Sequence, residues 1–95
     1  MNEWLGRVVN SKAGRDKEKL FIVIGLHDDE HLLLADGKIR KTDKPKKKKV
    51  KHVRFTDICF EDIRTKLEKH DKITNAELRK ALKTLEIVDL SDRTV

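Results

Sequence analysis

Residues 20–26 read LFIVIGL, the longest apolar stretch in the 95-residue chain. It is rich in β-branched and aromatic residues, the types that suit a pleated strand. At seven residues it is far shorter than the ~20 needed to cross a bilayer as a helix. A long strand is therefore the expectation, and a strand needs partners. Upstream, residues 3–11 (EWLGRVVNS) set Trp4, Val8 and Val9 among polar residues and glycine and read as a first strand. Downstream, HDDEH is a polar turn and LLLA a third strand. Asp36-Gly37 follows, a tight-hairpin signal because both central positions of a type I′ turn take positive φ. KIRK, residues 38–41, would begin a fourth strand. VKHVRF, residues 50–55, would supply the last, although its apolar alternation slips once at His52. Four or five short strands joined by tight turns predict a small antiparallel β-barrel.

After Phe55 the periodicity changes. Cys59, Ile63 and Leu67 recur at i, i+4 and i+8 with Phe60 beside them, which predicts a short helix. Thr74 and Glu77 make a Thr-x-x-Glu capping box. Leu78, Ala81, Leu82 and Leu85 then form one apolar face, predicting a helix over residues 75–86 followed by a frayed end. The expected organisation is a barrel over 1–56, with a basic loop at 42–49, and a helical C-terminal extension over 57–95 packed on it. The fold class is mainly β with C-terminal α.

Charge locates the functional surface. Charged residues are 42% of the chain, against a usual ~25%. The net charge is +6, yet residues 38–54 hold ten Lys or Arg and one Asp, a local +9 that leaves −3 for the remainder. A concentration of that kind points to an anionic partner rather than to general solubility. The single cysteine, Cys59, allows no internal disulfide and fits a reducing compartment. The start, MNEWLGRVV, has no basic n-region and no long apolar run, so a soluble, cytoplasmic protein is expected.

Two stretches carry the candidate site. In SKAGRDKEK, residues 11–19, Gly14 permits a turn and a close approach by another chain. Lys12, Arg15, Lys17 and Lys19 surround it, and the amides around Ala13 and Gly14 can donate to phosphate oxygens. The second stretch, RKTDKPKKKKVKH, holds Arg40, Lys41, Lys44, Lys46, Lys47, Lys48, Lys49, Lys51 and His52. Like charges repel and Pro45 has no amide hydrogen, so residues 42–49 are expected as a loop or arm. Lysines act as point charges for phosphate, which argues for backbone attraction over base reading. On its own each stretch has an ordinary explanation: a solvated hairpin loop for the first, a solubilising loop or targeting signal for the second. In an antiparallel barrel the two can lie side by side and present one basic surface.

LGRVVNSKAGRDKEKLFIVIGLHDDEHLLLADG, followed by KPKKKKVKHV, resembles the KOW-motif RNA-binding proteins, closest to the bacterial ones related to large-subunit ribosomal proteins of archaea and eukaryotes. The resemblance covers residues 4–56 and, more loosely, the C-terminal helix. Gly14 stands at the motif's central glycine, and residues 46–52 match the family's basic, RNA-facing stretch before the last strand. The resemblance implies an SH3-like barrel, a non-catalytic role, and ribosomal or other structured RNA as partner, with ribosomal proteins as further neighbours. Glu18 departs from the pattern, since relatives commonly carry a second glycine there. A carboxylate repels phosphate, so the weight falls on residues 12–15.

Other chemistry finds little support in the sequence. His27 and His31 have a spacing zinc can use but no second ligand pair, and they flank an acidic turn. His52 and His70 stand alone, and Cys59 beside Phe60 reads as packing. Trp4, Phe21, Phe55 and Phe60 are expected mostly in the core. No Walker loop, G-x-S-x-G elbow or catalytic carboxylate pair occurs. The expectation is no enzyme, no cofactor or metal, no membrane and no small-molecule substrate. The alternative is a protein-interaction adapter using the barrel and the helix face at residues 78–85.

Overall fold

In the computed structural model of the protein the described residues are 2–12 and 19–94, with side chains described over 3–12 and 19–85. A short 3₁₀ turn, Asn2–Trp4, leads into five strands: β1 (Arg7–Ser11), β2 (Leu20–Leu26), β3 (His31–Ala35), β4 (Lys46–Lys49) and β5 (Val53–Cys59). A second 3₁₀ turn, Val50–His52, joins β4 to β5. Two helices follow, α1 (Glu61–Glu68) and α2 (Asn75–Thr94). The strands form one antiparallel sheet in the order β4-β3-β2-β1-β5. Among the described residues no ladder joins β4 to β5, so the sheet is not closed.

The sheet is nevertheless curled. Its two edge strands are consecutive in sequence, with three residues between them. Lys49 and Val53 can then be at most about 14 Å apart along a fully extended chain. In a flat five-stranded sheet the two edges would lie about 19 Å apart. The connection is shorter than the flat distance, so the edges bend toward each other at this corner.

Curling gives the sheet two buried faces, and period-2 alternation assigns residues to each. Val9, Phe21, Val23, Leu32, Leu34 and Val53 fill one, with Trp4, Leu5, Leu26, Val50 and Phe55 at its margin. Val8, Ile22 and Ala35 point the other way, where Ile63 of α1, Ile73 and Leu78 of α2 cover them. Phe60, Leu67, Ala81, Leu82 and Leu85 complete that layer. The aromatic residues sort as expected: Phe21 is fully buried, and Trp4 tilts against Phe55 with ring centroids 5.3 Å apart.

Several expectations are corrected. KIRK is not a strand. The Asp36 carboxylate accepts the Lys38 and Arg40 amides at 2.9 and 2.8 Å, while the Asp36 and Gly37 amides donate to the Arg40 carbonyl. These bonds wrap residues 36–40 into a compact turn in place of a two-residue hairpin. The fourth strand is instead the tetralysine Lys46–Lys49, inside the stretch 42–49 that the sequence predicts as a loop. Backbone hydrogen bonds to β3 hold it, and an edge position leaves its ammonium groups access to water, so their repulsion is tolerated. Trp4 lies in the 3₁₀ turn before β1. The slip at His52 marks the end of the second 3₁₀ turn, and β5 continues past residue 56 to Cys59, across the expected domain boundary. Cys59 ends that strand half-buried, its Sγ 3.6 Å from the Leu5 carbonyl, and α1 begins two residues later. The final helix runs to Thr94, well beyond residue 86.

The helices are tied to the strands by specific contacts. Thr74 Oγ1 accepts the Glu77 amide at 3.1 Å and the Thr74 amide donates back to Glu77, completing the capping box. Asn75 Oδ1 accepts the Thr42 amide at 2.8 Å, and Arg79 donates to the Gly37 carbonyl at 2.6 Å. The turn after β3 is thereby docked on the start of α2. Gly37 sits at φ +78°, and a Cβ there would run into the Asn75 carbonyl. Gly37→Ala combines a left-handed backbone with overpacking and is expected to cost roughly 2–4 kcal/mol in urea unfolding.

Lys66 of α1 donates to Glu77 of α2 at 2.9 Å. That hydrogen bond holds the Glu77 carboxyl below its ordinary 4.5 and the Lys66 ammonium above its ordinary 10.5. A depressed carboxyl stabilises the fold above its unfolded value and loses that contribution as pH falls. A raised ammonium stabilises below its unfolded value and loses its share as pH rises. The pair therefore acts between the two ordinary values. Glu77→Gln is expected to lower stability at about pH 7, and in urea melts the gap between variant and wild type is expected to narrow as pH falls below the ordinary carboxyl value of 4.5.

Candidate nucleic-acid interface

Much of the basic stretch is a paired edge strand where the sequence predicts a loop or arm. Lys46, Lys47, Lys48 and Lys49 lie opposite Leu34, Leu33, Leu32 and His31 of β3. Lys47 and Lys49 are exposed on one face of this edge strand, and Lys46 and Lys48 are half-buried on the other. Backbone pairing fixes the strand, so the lysine spacing is set by the pleat and not by repulsion. Lys51 and His52 continue the charge onto the 3₁₀ turn, where both are exposed. Arg54, which the sequence reading did not single out, is exposed on β5 opposite Asn10.

The loop between β1 and β2 starts beside this turn. The Lys12 amide donates to the His52 carbonyl at 3.0 Å, just beyond the Ser11–Val53 pair. The Ser11 amide donates to the Lys19 carbonyl at 3.4 Å, which brings the other foot of the loop alongside. Lys12 and Lys19 are both exposed. Ala13, Gly14, Arg15 and Lys17 lie outside the described residues. The foot of the glycine loop thus meets the corner that the lysine strand leads into.

The remaining expected residues stand elsewhere. Arg40, Lys41 and Lys44 belong to the connection from β3 to β4, at the opposite end of β4 from the 3₁₀ turn. Lys41 and Lys44 are exposed, with the Lys44 amide donating to the Lys41 carbonyl at 3.1 Å, and Arg40 is half-buried. They flank the strand at its start.

One neighbour limits the basic surface. The turn between β2 and β3 carries Asp28, Asp29 and Glu30, all exposed, and the Glu30 carbonyl accepts the Val50 amide at 2.8 Å. Asp29 and Glu30 share a cleft of about 380 Å³ with Lys49, Val50 and Lys51. Carboxylates there repel phosphate, so an anionic strand is favoured on the Lys12 side of the corner. The sequence placed these acids in a solvated turn, which they are, but gave no sign that they adjoin Lys49 and Lys51. That adjacency depends on the curl of the sheet.

The turn itself is organised by Asp28. Its carboxylate accepts the Glu30 and His31 amides at 2.8 and 2.9 Å and is 2.8 Å from His31 Nδ1. His27 and His31 are edge-on, with ring centroids 6.2 Å apart. Among the described residues no group of three or more His, Cys, Asp or Glu is placed to hold a metal ion. No described helix is long and apolar enough to cross a membrane.

No model of a known protein family matches the chain, and no curated protein matches it.

The hydrogen bond from His31, followed by that from the Glu30 amide, pushes the Asp28 carboxyl below its ordinary 3.8. Carboxyl NMR titration is expected to place Asp28 below that value, and His31→Ala is expected to move it back up.

Proposed function

We propose that the protein is a non-catalytic RNA-binding module, an SH3-like curled barrel of the KOW type that associates with ribosomal or other structured RNA in the cytoplasm. One observation carries the reading: the lysine strand runs through the Val50–His52 turn directly to the foot of the glycine-centred loop, joined by the Lys12–His52 hydrogen bond. A rigid strand that offers Lys47 and Lys49 at a fixed spacing presents preorganised charge to a phosphate backbone. Phe21 is fully buried and Trp4 and Phe55 pack on each other, which leaves little aromatic surface for base stacking. Recognition by shape and phosphate geometry, as for folded RNA, fits that arrangement. The strand order with a 3₁₀ turn between β4 and β5 supports the SH3-like description, and the resemblance of residues 4–56 to KOW proteins supports RNA over DNA.

The adapter alternative uses the barrel and the helix face at residues 78–85. Leu78 is fully buried, and Ala81, Leu82 and Leu85 are partly buried against the sheet, so most of that face is covered within the molecule.

Binding to ribosomal RNA fragments, followed by fluorescence anisotropy across a salt series, tests the proposal. With about six phosphates neutralised, affinity is expected to fall ~10³-fold between about 50 and 200 mM salt. Lys47→Glu with Lys49→Glu is expected to weaken binding strongly while leaving the unfolding transition in place, because both side chains are exposed. A flat salt dependence, or no binding at low salt, would overturn the proposal.

A further inference from the structure

A second basic surface lies on the other side of the loop's foot. Lys19, Lys38, Arg79 and Lys83 line a groove of about 470 Å³, with Leu20 and Leu82 as its apolar floor. Asp36 is its single acid among the described residues, and that carboxylate is already engaged by the Lys38 and Arg40 amides. The described side chains of the groove therefore carry a net +3. Its walls come from three distant parts of the chain: the start of β2, the turn after β3, and α2. Arg79 is anchored by its bond to the Gly37 carbonyl, so turn and helix are held at a fixed separation. Among the described residues no aromatic side chain lines the groove, so charge and shape are its main means of recognition.

The groove is joined to the interface described above. Lys19 belongs to both: its carbonyl accepts the Ser11 amide, one residue from Lys12, which bonds to His52. The sequence of contacts runs from the lysine strand to His52, to Lys12, to Lys19 and into the groove. A single polyanion with charges at regular intervals matches such a path; an isolated small anion would use only one part of it.

We infer that the RNA strand does not end at the lysine strand but crosses the foot of the β1–β2 loop at Lys12 and Lys19 and enters the groove against α2, where Lys38, Arg79 and Lys83 meet its phosphates. This rests on the RNA-binding reading and adds α2 to it. The C-terminal helix then both seals the sheet and holds one wall of the binding path.

The test uses the full chain and the ribosomal RNA fragment bound most tightly by wild type. Lys38→Gln with Lys83→Gln removes two exposed charges and leaves Arg79 in place. It is expected to reduce the slope of log affinity against log salt by about two and to weaken binding on the order of tens of fold at about 100 mM salt. Lys69→Gln with Lys72→Gln makes the same charge change at exposed positions outside the groove and is expected to have a much smaller effect. As a second measurement on the unmutated complex, RNA is expected to shield Lys38 and Lys83 from amine acetylation. Equal losses for the two pairs, or unshielded Lys38 and Lys83 in a complex that forms, would overturn the inference while the lysine-strand interface stands. Failure of the wild type to bind any RNA at low salt would remove both.

Discussion

Val50–His52 must join the two outermost strands of a five-stranded sheet, and three residues cannot do so across a flat one. The reach of the backbone is the governing constraint. It forces the edges together, gives the sheet a concave face, and lets Val9, Phe21, Leu32, Leu34 and Val53 meet inside a molecule with few aromatic side chains. The same corner brings three connections into contact: Lys12 from the loop after β1, Glu30 from the turn after β2, and the 3₁₀ turn itself. Fold and candidate interface thus have one cause.

The outer face is closed differently. Val8, Ile22 and Ala35 alternate with the concave set and would face water without α1 and α2. Ile63, Ile73 and Leu78 cover them, and the capping box and the Lys66–Glu77 bond set where the helices start and how they meet. Gly37 allows the turn after β3 to touch the Asn75 backbone, so the segment that precedes the lysine strand is fastened to α2 before the strand begins. Rigidity at both ends turns four consecutive lysines into a fixed array.

The lysine strand shows how charge and backbone demands are reconciled. An edge strand needs hydrogen bonds on one side only, and lysine stems can lie along the sheet while the ammonium groups reach water. Charge on an edge also discourages pairing with another sheet. A run that looks unable to fold when judged by its side chains is well suited to the one position in a sheet where side chains need not be buried.

The sequence by itself determined the local elements. β-Branched and aromatic residues marked β2, Thr74 and Glu77 marked the start of α2, and the spacing of Leu78, Ala81, Leu82 and Leu85 marked its buried face, because these signals act between residues close in the chain. It also showed that positive charge is concentrated in residues 38–54. Only the tertiary structure decided that Lys46–Lys49 is a strand, since its ladder partners lie in β3 and no local propensity reports them. It likewise decided that acids 28–30 border the lysines and that Lys38, Arg79 and Lys83 line one groove with Lys19. Such groupings are distances between residues remote in sequence, set by the curl of the sheet and the docking of α2, and only the folded chain defines them.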